Sequence, residues 1–157
     1  MPVATTEAQV AAYINSALKQ ILNEIAIQTT EELMNTVWTD WYMSNNATYY
    51  NATGQLLDSI VSSNVQSTGS GFEVEIYMDA GKLSPRHIAN SFSEHMGFDR
   101  LDFTEGLIEV VEKGNPSHIY PHSGIGMFKK TSKWLEKSLP RIAKKVFSSY
   151  GLKVVIT

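Results

Sequence analysis

The sequence predicts an α+β domain: N-terminal helices, an antiparallel sheet built on a β-hairpin, a C-terminal amphipathic helix and a short closing strand. Three observations predict it. An apolar stripe of helical period lies near the start, a stretch of strict alternation lies in the middle, and a lysine-rich amphipathic segment lies near the end. At 157 residues the chain suits a single domain over its full length.

Residues 6–27 carry Val10, Ile14, Ala17, Leu18, Ile21 and Ile25 at three- and four-residue steps, which places them on one face of a helix. Thr5 or Thr6 suits the N-cap, and Glu7 suits the first turn. Thr29 and Glu32 have capping-box spacing, so a second helix can start there, with Leu33, Val37, Trp38 and Trp41 on one side. No Gly or Pro interrupts residues 6–44, so one long helix fits as well. The Trp38, Trp41 and Tyr42 cluster has two readings, an inter-subunit contact or simple core.

Residues 49–79 form the central unit. Phe72, Val74, Ile76 and Met78 alternate with Glu73, Glu75, Tyr77 and Asp79, the period of a strand with one buried face. Ser67-Thr-Gly-Ser-Gly71 supplies residues tolerant of positive φ, so the chain is expected to reverse there. Ile60 to Val65 then forms the partner strand, giving a hairpin over about 60–79 led in by an amphipathic turn at 55–60.

A loop and helix occupy about 80–114. Residues 87–102 match no clear period, whereas Asp102 and Glu105 have capping-box spacing ahead of Phe103, Leu107, Ile108 and Val111. Gly114 stands at the C′ position, and Asn115-Pro116 prevents continuation. The last helix, about 127–149, puts Phe128, Trp134, Leu135, Leu139, Ile142, Val146 and Phe147 on its apolar side, with a kink or break expected at Pro140. Gly151 ends it, and residues 152–157 are β-branched enough for the closing strand.

Charge is distributed unevenly. Over residues 126–149 seven cations (Lys129, Lys130, Lys133, Lys137, Arg141, Lys144 and Lys145) stand against the single Glu136. Residues 1–125 carry fifteen acids against five cations, and the whole chain nets −3. An acidic body with a basic end fits head-to-tail self-association, an anionic partner, or a solvated helix face. With no cysteine, the fold uses neither disulfide nor thiolate metal site. No apolar run reaches the length of a membrane-spanning helix, and no signal-peptide pattern opens the chain, so the expected setting is the cytoplasm of the producing cell, without a membrane partner. In that setting Asn46-Ala-Thr and Asn51-Ala-Thr read as chance matches to a glycosylation pattern.

No catalytic constellation emerges, and no cofactor is expected. His118 and His122 are four apart, but Pro121 and Gly124 make the segment a loop without a third ligand, so a polar loop is the better reading than a metal site. Ser123-Gly-Ile-Gly126 lacks the leading strand and the Gly-Lys-Ser/Thr of a phosphate loop. Glu31/Glu32, placed at a helix start, and Glu73/Glu75, on a strand's exposed face, read as solvation or interface charge. The expectation is a non-enzyme. A nucleic-acid-associated protein using the basic helix is the alternative, weakened by a pI near 5.8.

Thr53-Gly-Gln-Leu-Leu-Asp-Ser-Ile60, a following hairpin, the segment Val110-Val-Glu-Lys-Gly-Asn115 and a helix over 127–148 stand in an order that resembles the tail-completion, or head–tail joining, proteins of tailed bacteriophages. The similarity spans roughly residues 45–150. It departs at 83–103, where the usual connection is shorter, and in offering Tyr120-Pro121 and Met127-Phe128 for the Pro-x-Pro-Phe before the last helix. The resemblance implies a structural virion protein, assembled in the host cytoplasm as a ring, commonly a hexamer. Its partners would be copies of itself, the head connector, and tail-tube or tail-terminator proteins, with DNA passing through unbound. The candidate interface residues are Trp38, Trp41, Thr53, Gly54, Leu56, Glu73, Glu75, Lys129, Lys133 and Lys137, with Glu73, Glu75 and Asp79 as candidates to face the channel.

Overall fold

A computed structural model describes residues 6–44, 54–83, 103–115 and 122–153 of the chain, and the class is α+β. The first element, α1 (Glu7–Val37), is a single helix of 31 residues, about 46 Å long at 1.5 Å per residue. Its start is a capping box: the Gln9 amide donates to the Thr6 hydroxyl and the Thr6 amide donates to the Gln9 side chain. The restart expected at Thr29 does not occur. Thr29 is a buried mid-helix residue, because nothing in residues 7–37 breaks the backbone ladder. The helix passes into a wide π-turn, Trp38–Tyr42, closed by the Met43 amide donating to the Trp38 carbonyl at 3.0 Å.

Gly54 adopts φ +78 and opens the one-turn helix α2 (Gln55–Asp58). Four short strands follow, β1 (Ile60–Ser62), β2 (Gln66–Thr68), β3 (Gly71–Glu73) and β4 (Ile76–Met78). They form one hairpin in two ladders, with Ser62 opposite Ile76 and Gln66 opposite Glu73. Three residues, 63–65, therefore face two, 74–75, which is a bulge. Ser63 occupies it: its amide donates to the Glu75 carbonyl (2.8 Å) and its hydroxyl accepts from the Glu75 amide (2.9 Å). The reversal is tighter than expected, since Thr68 pairs with Gly71 and only Gly69 and Ser70 turn the chain. Neither has positive φ, so the left-handed tolerance expected of this stretch is not used. The expected alternation holds. Phe72, Val74, Ile76 and Met78 are half-buried, whereas Glu73, Glu75 and Tyr77 are exposed. Asp79 leaves the pattern, because its carboxylate caps the 3-10 turn Ala80–Lys82 through the Gly81 amide at 2.9 Å.

Helix α3 (Phe103–Lys113) ends at Gly114 (φ +83), and two short strands, β5 (Gly114–Asn115) and β6 (His122–Ser123), pair antiparallel behind it. Gly124 lies against this corner so closely that a Cβ would meet the Lys113 carbonyl carbon at 2.3 Å and the Glu112 oxygen at 2.4 Å. The last helix, α4 (Met127–Ser149), runs unbroken through Pro140. Residues 136, 139 and 140 are exposed, so the Glu136 carbonyl left without an amide partner faces water and the cost stays small. Gly151 (φ +72) closes α4: its amide donates to Ser148 and the Leu152 amide donates to Phe147, the paired bonds of a Schellman motif. The expected closing strand finds no support at 152–153, which are irregular, and its remainder, 154–157, lies outside the described residues. So do the capping residue Asp102 and most of residues 80–102.

Two apolar clusters share α1. The larger joins Leu33, Val37 and Trp41 to Leu56, Ile60, Leu83, Leu107, Val110, Val111, Ile125 and Met127. The smaller joins Ile21 and Ile25 to Ile142 and Val146. The buried residues of α4 are Met127, Thr131, Ile142 and Val146; of the apolar side expected, Trp134, Leu135, Ile142, Val146 and Phe147 pack in the smaller cluster, whereas Phe128 and Leu139 are exposed. Leu33→Ala should cost about 2–5 kcal/mol by emptying the larger cluster, measured by chemical denaturation. Gly124→Ala, which drives a methyl into backbone, should cost more than Gly54→Ala, where the added Cβ meets nothing and only left-handed strain of about 1 kcal/mol is added.

Candidate assembly surfaces

The residues expected to form interfaces divide into core and surface. Trp41 (6 % exposed) and Leu56 (0 %) are core, and their work is packing. Trp38, one residue into the π-turn, is 51 % exposed and leans on Tyr42, with ring centroids 5.8 Å apart. The wide turn separates the two tryptophans, so Trp41 packs in the core while Trp38 stands at the surface. Gly54 supplies backbone geometry, and Thr53 lies outside the described residues.

The acidic face of the hairpin is solvent-facing at Glu73 and Glu75. On its other side Phe72 reaches back to α1, where the Lys19 ammonium lies 5.1 Å from the ring centroid. This contact seats the far ladder on the helix, so Glu73 and Glu75 are held on an anchored surface.

On α4, Lys129, Lys133, Lys137 and Lys144 project opposite the buried residues Met127, Ile142 and Val146 and are exposed. Two flanking lysines behave differently. Lys130 pairs with Asp40 at 2.6 Å and Lys145 pairs with Glu24 at 3.5 Å, fastening α4 along α1. The start of α4 has no side-chain cap of its own. Glu112 of α3 supplies one instead, accepting from the Phe128 amide at 3.0 Å. Nearby on α3 the Lys113 ammonium hydrogen-bonds Glu109 and holds its carboxyl below the usual range, on a fully exposed surface.

Two surfaces went unforeseen in the sequence. The first is the N-terminal continuation of α1's apolar stripe. Ala17, Ile21 and Ile25 are buried, but Val10, Ile14 and Leu18, expected in the core, are 37–44 % exposed. Among the described residues, α1 runs past the end of α4 here and Tyr150 is its last cover: the Tyr150 carbonyl accepts from the Tyr13 hydroxyl, and the two rings meet edge-on at 5.3 Å. The second is a groove of about 480 Å³ between α1 and α4, lined by Glu24, Ile27, Gln28, Glu31, Glu32, Asn35 and Trp134. Glu31 and Glu32 thus stand in mid-helix beside this groove, not at a helix start. Helical period alone shows their shared side with Glu24 and Gln28, but only the fold brings Trp134 to it.

Among the described residues no group of histidines and acids has metal-binding geometry, and no helix is long and apolar enough to cross a membrane. His118 and the side chain of His122 lie outside the described residues. Comparison with known protein families, curated proteins and solved structures returns no match for this chain.

Glu112→Ala should remove the borrowed cap and cost about 1 kcal/mol, with a matching fall in the thermal midpoint. Lys129→Ala, on the open face, should leave the midpoint within about 0.5 kcal/mol equivalent.

Proposed function

We propose that this protein is a non-catalytic assembly component, a head–tail joining protein of a tailed bacteriophage that forms a ring, commonly a hexamer, in the viral neck. The observation that carries the reading is the order of parts. A left-handed glycine opens a one-turn helix, a hairpin with an acidic outer face follows, a helix ends at Glu112-Lys-Gly114, and a C-terminal helix completes the chain. That order is the one the resemblance rests on. Exposed Trp38, the uncovered α1 stripe and the open lysine face supply the contact area that a ring subunit requires for its neighbours, the head connector and the tail. In this reading Glu73 and Glu75 repel passing DNA at short range.

The open lysine face favours a second reading, a protein held to nucleic acid by α4. Salt separates the two. A binder that neutralises several phosphates loses about 10³-fold or more in affinity between 50 and 200 mM salt, whereas the neck protein should hold duplex DNA weakly at every salt concentration.

Disrupting the gene should yield DNA-filled heads and free tails that do not join, with joining restored by the purified protein. Electron microscopy of the lysate reads this directly, and complete particles formed without the protein would exclude the neck assignment. Glu73→Lys with Glu75→Lys should lower the yield of infectious particles at least about tenfold, since cations on a DNA-facing surface retain the genome. Undiminished infectivity would remove the hairpin face from the channel.

A further inference from the structure

We infer that the acidic groove between α1 and α4 is the docking site for the open lysine face of α4 from a second copy of this chain. The groove is concave and carries three carboxylates, Glu24, Glu31 and Glu32. Glu24 is already engaged by Lys145 and by the Gln28 amide at 2.7 Å. Glu31 and Glu32 make no ion pair among the described residues, and both stand on the groove wall.

The complementary surface is on the same molecule. Lys129, Lys133, Lys137 and Lys144 are exposed on a convex helix face and make no ion pair among the described residues. A chain cannot fold this face into its own groove, because α4 already forms one wall of that groove through Trp134. The lysine face of one copy can therefore reach a groove only on another. Groove chemistry suits a lysine in both halves. The aliphatic stem lies along Ile27 and the Trp134 ring, and the ammonium reaches Glu31 or Glu32.

The two surfaces differ, so the contact is head-to-tail, and each copy offers one free groove and one free lysine face. Such a contact propagates until rotation closes it into a ring or leaves it open as a filament. The inference deepens the proposed function by naming where neighbouring copies meet. Its test uses purified full-length chain and no virion, so its failure and that of the neck assignment are separate results.

Sedimentation velocity provides the test. The wild-type chain should self-associate at about 50 mM salt and dissociate at about 500 mM, where screening shortens to a few ångströms. Glu31→Lys with Glu32→Lys should weaken association at least about tenfold, as should Lys133→Glu with Lys137→Glu. Glu31→Gln with Glu32→Gln should act in the same direction with less effect. Mixing the two reversed variants should restore association, because every groove then meets a lysine face or its reversed counterpart of opposite sign. A wild-type chain that stays monomeric at low salt and high concentration overturns the inference. So does association of both reversed variants at wild-type strength, or a lysine reversal that lowers DNA binding while self-association is unchanged.

Discussion

One helix serves two cores, and everything else in this fold depends on that. Along about 46 Å, α1 offers Ile21 and Ile25 to α4, then Leu33 and Val37 to the hairpin, α2 and α3. A break at Thr29 would have let these two units move separately. Because the backbone ladder is continuous there, a single rod carries both clusters. Burying each large aliphatic side chain is worth about 1.5–3 kcal/mol, so each cluster is strong enough to fix its own end of the rod. Neither depends on the exposed ion pairs alongside.

The fold was readable wherever local pattern and burial agree. Alternation from Phe72 to Met78 identified the inner and outer faces of a strand even across a bulge, because one extra residue on the partner leaves the period of this strand intact. Gly114 and Gly151 marked helix ends because only glycine takes the left-handed backbone at those positions without strain. The bulge itself was not readable. Ser63 looks like any strand-edge serine until its hydroxyl is seen replacing a ladder acceptor.

The assembly surfaces were less readable, for a related reason. Helical period tells which residues share a face, but not how far the covering element extends. Val10, Ile14 and Leu18 continue the stripe of Ile21 and Ile25 without interruption, and although Gly151 marks where α4 ends, the pattern does not show which turn of α1 lies beside that end. In the same way Trp38 and Trp41 differ only through the π-turn between them, which sends one ring into the core and leaves the other in water. The charge asymmetry was visible from composition. Its consequence required the fold, because pairing of Lys130 with the π-turn and of Lys145 with α1 is what leaves the remaining lysines concentrated on one outward face.

That division of labour among the lysines bears on why the basic end exists. Exposed ion pairs contribute at most about 1 kcal/mol each, too little to account for seven cations in one helix as a stability device. Two of them suffice to align α4 along α1. The others raise the helix's self-repulsion and so cost stability in the isolated chain. A cost carried on one face, opposite the buried residues and beside a groove of the opposite sign, is offset when that face meets negative charge on another molecule. In the proposed head-to-tail contact, that negative charge is the groove of a neighbouring copy.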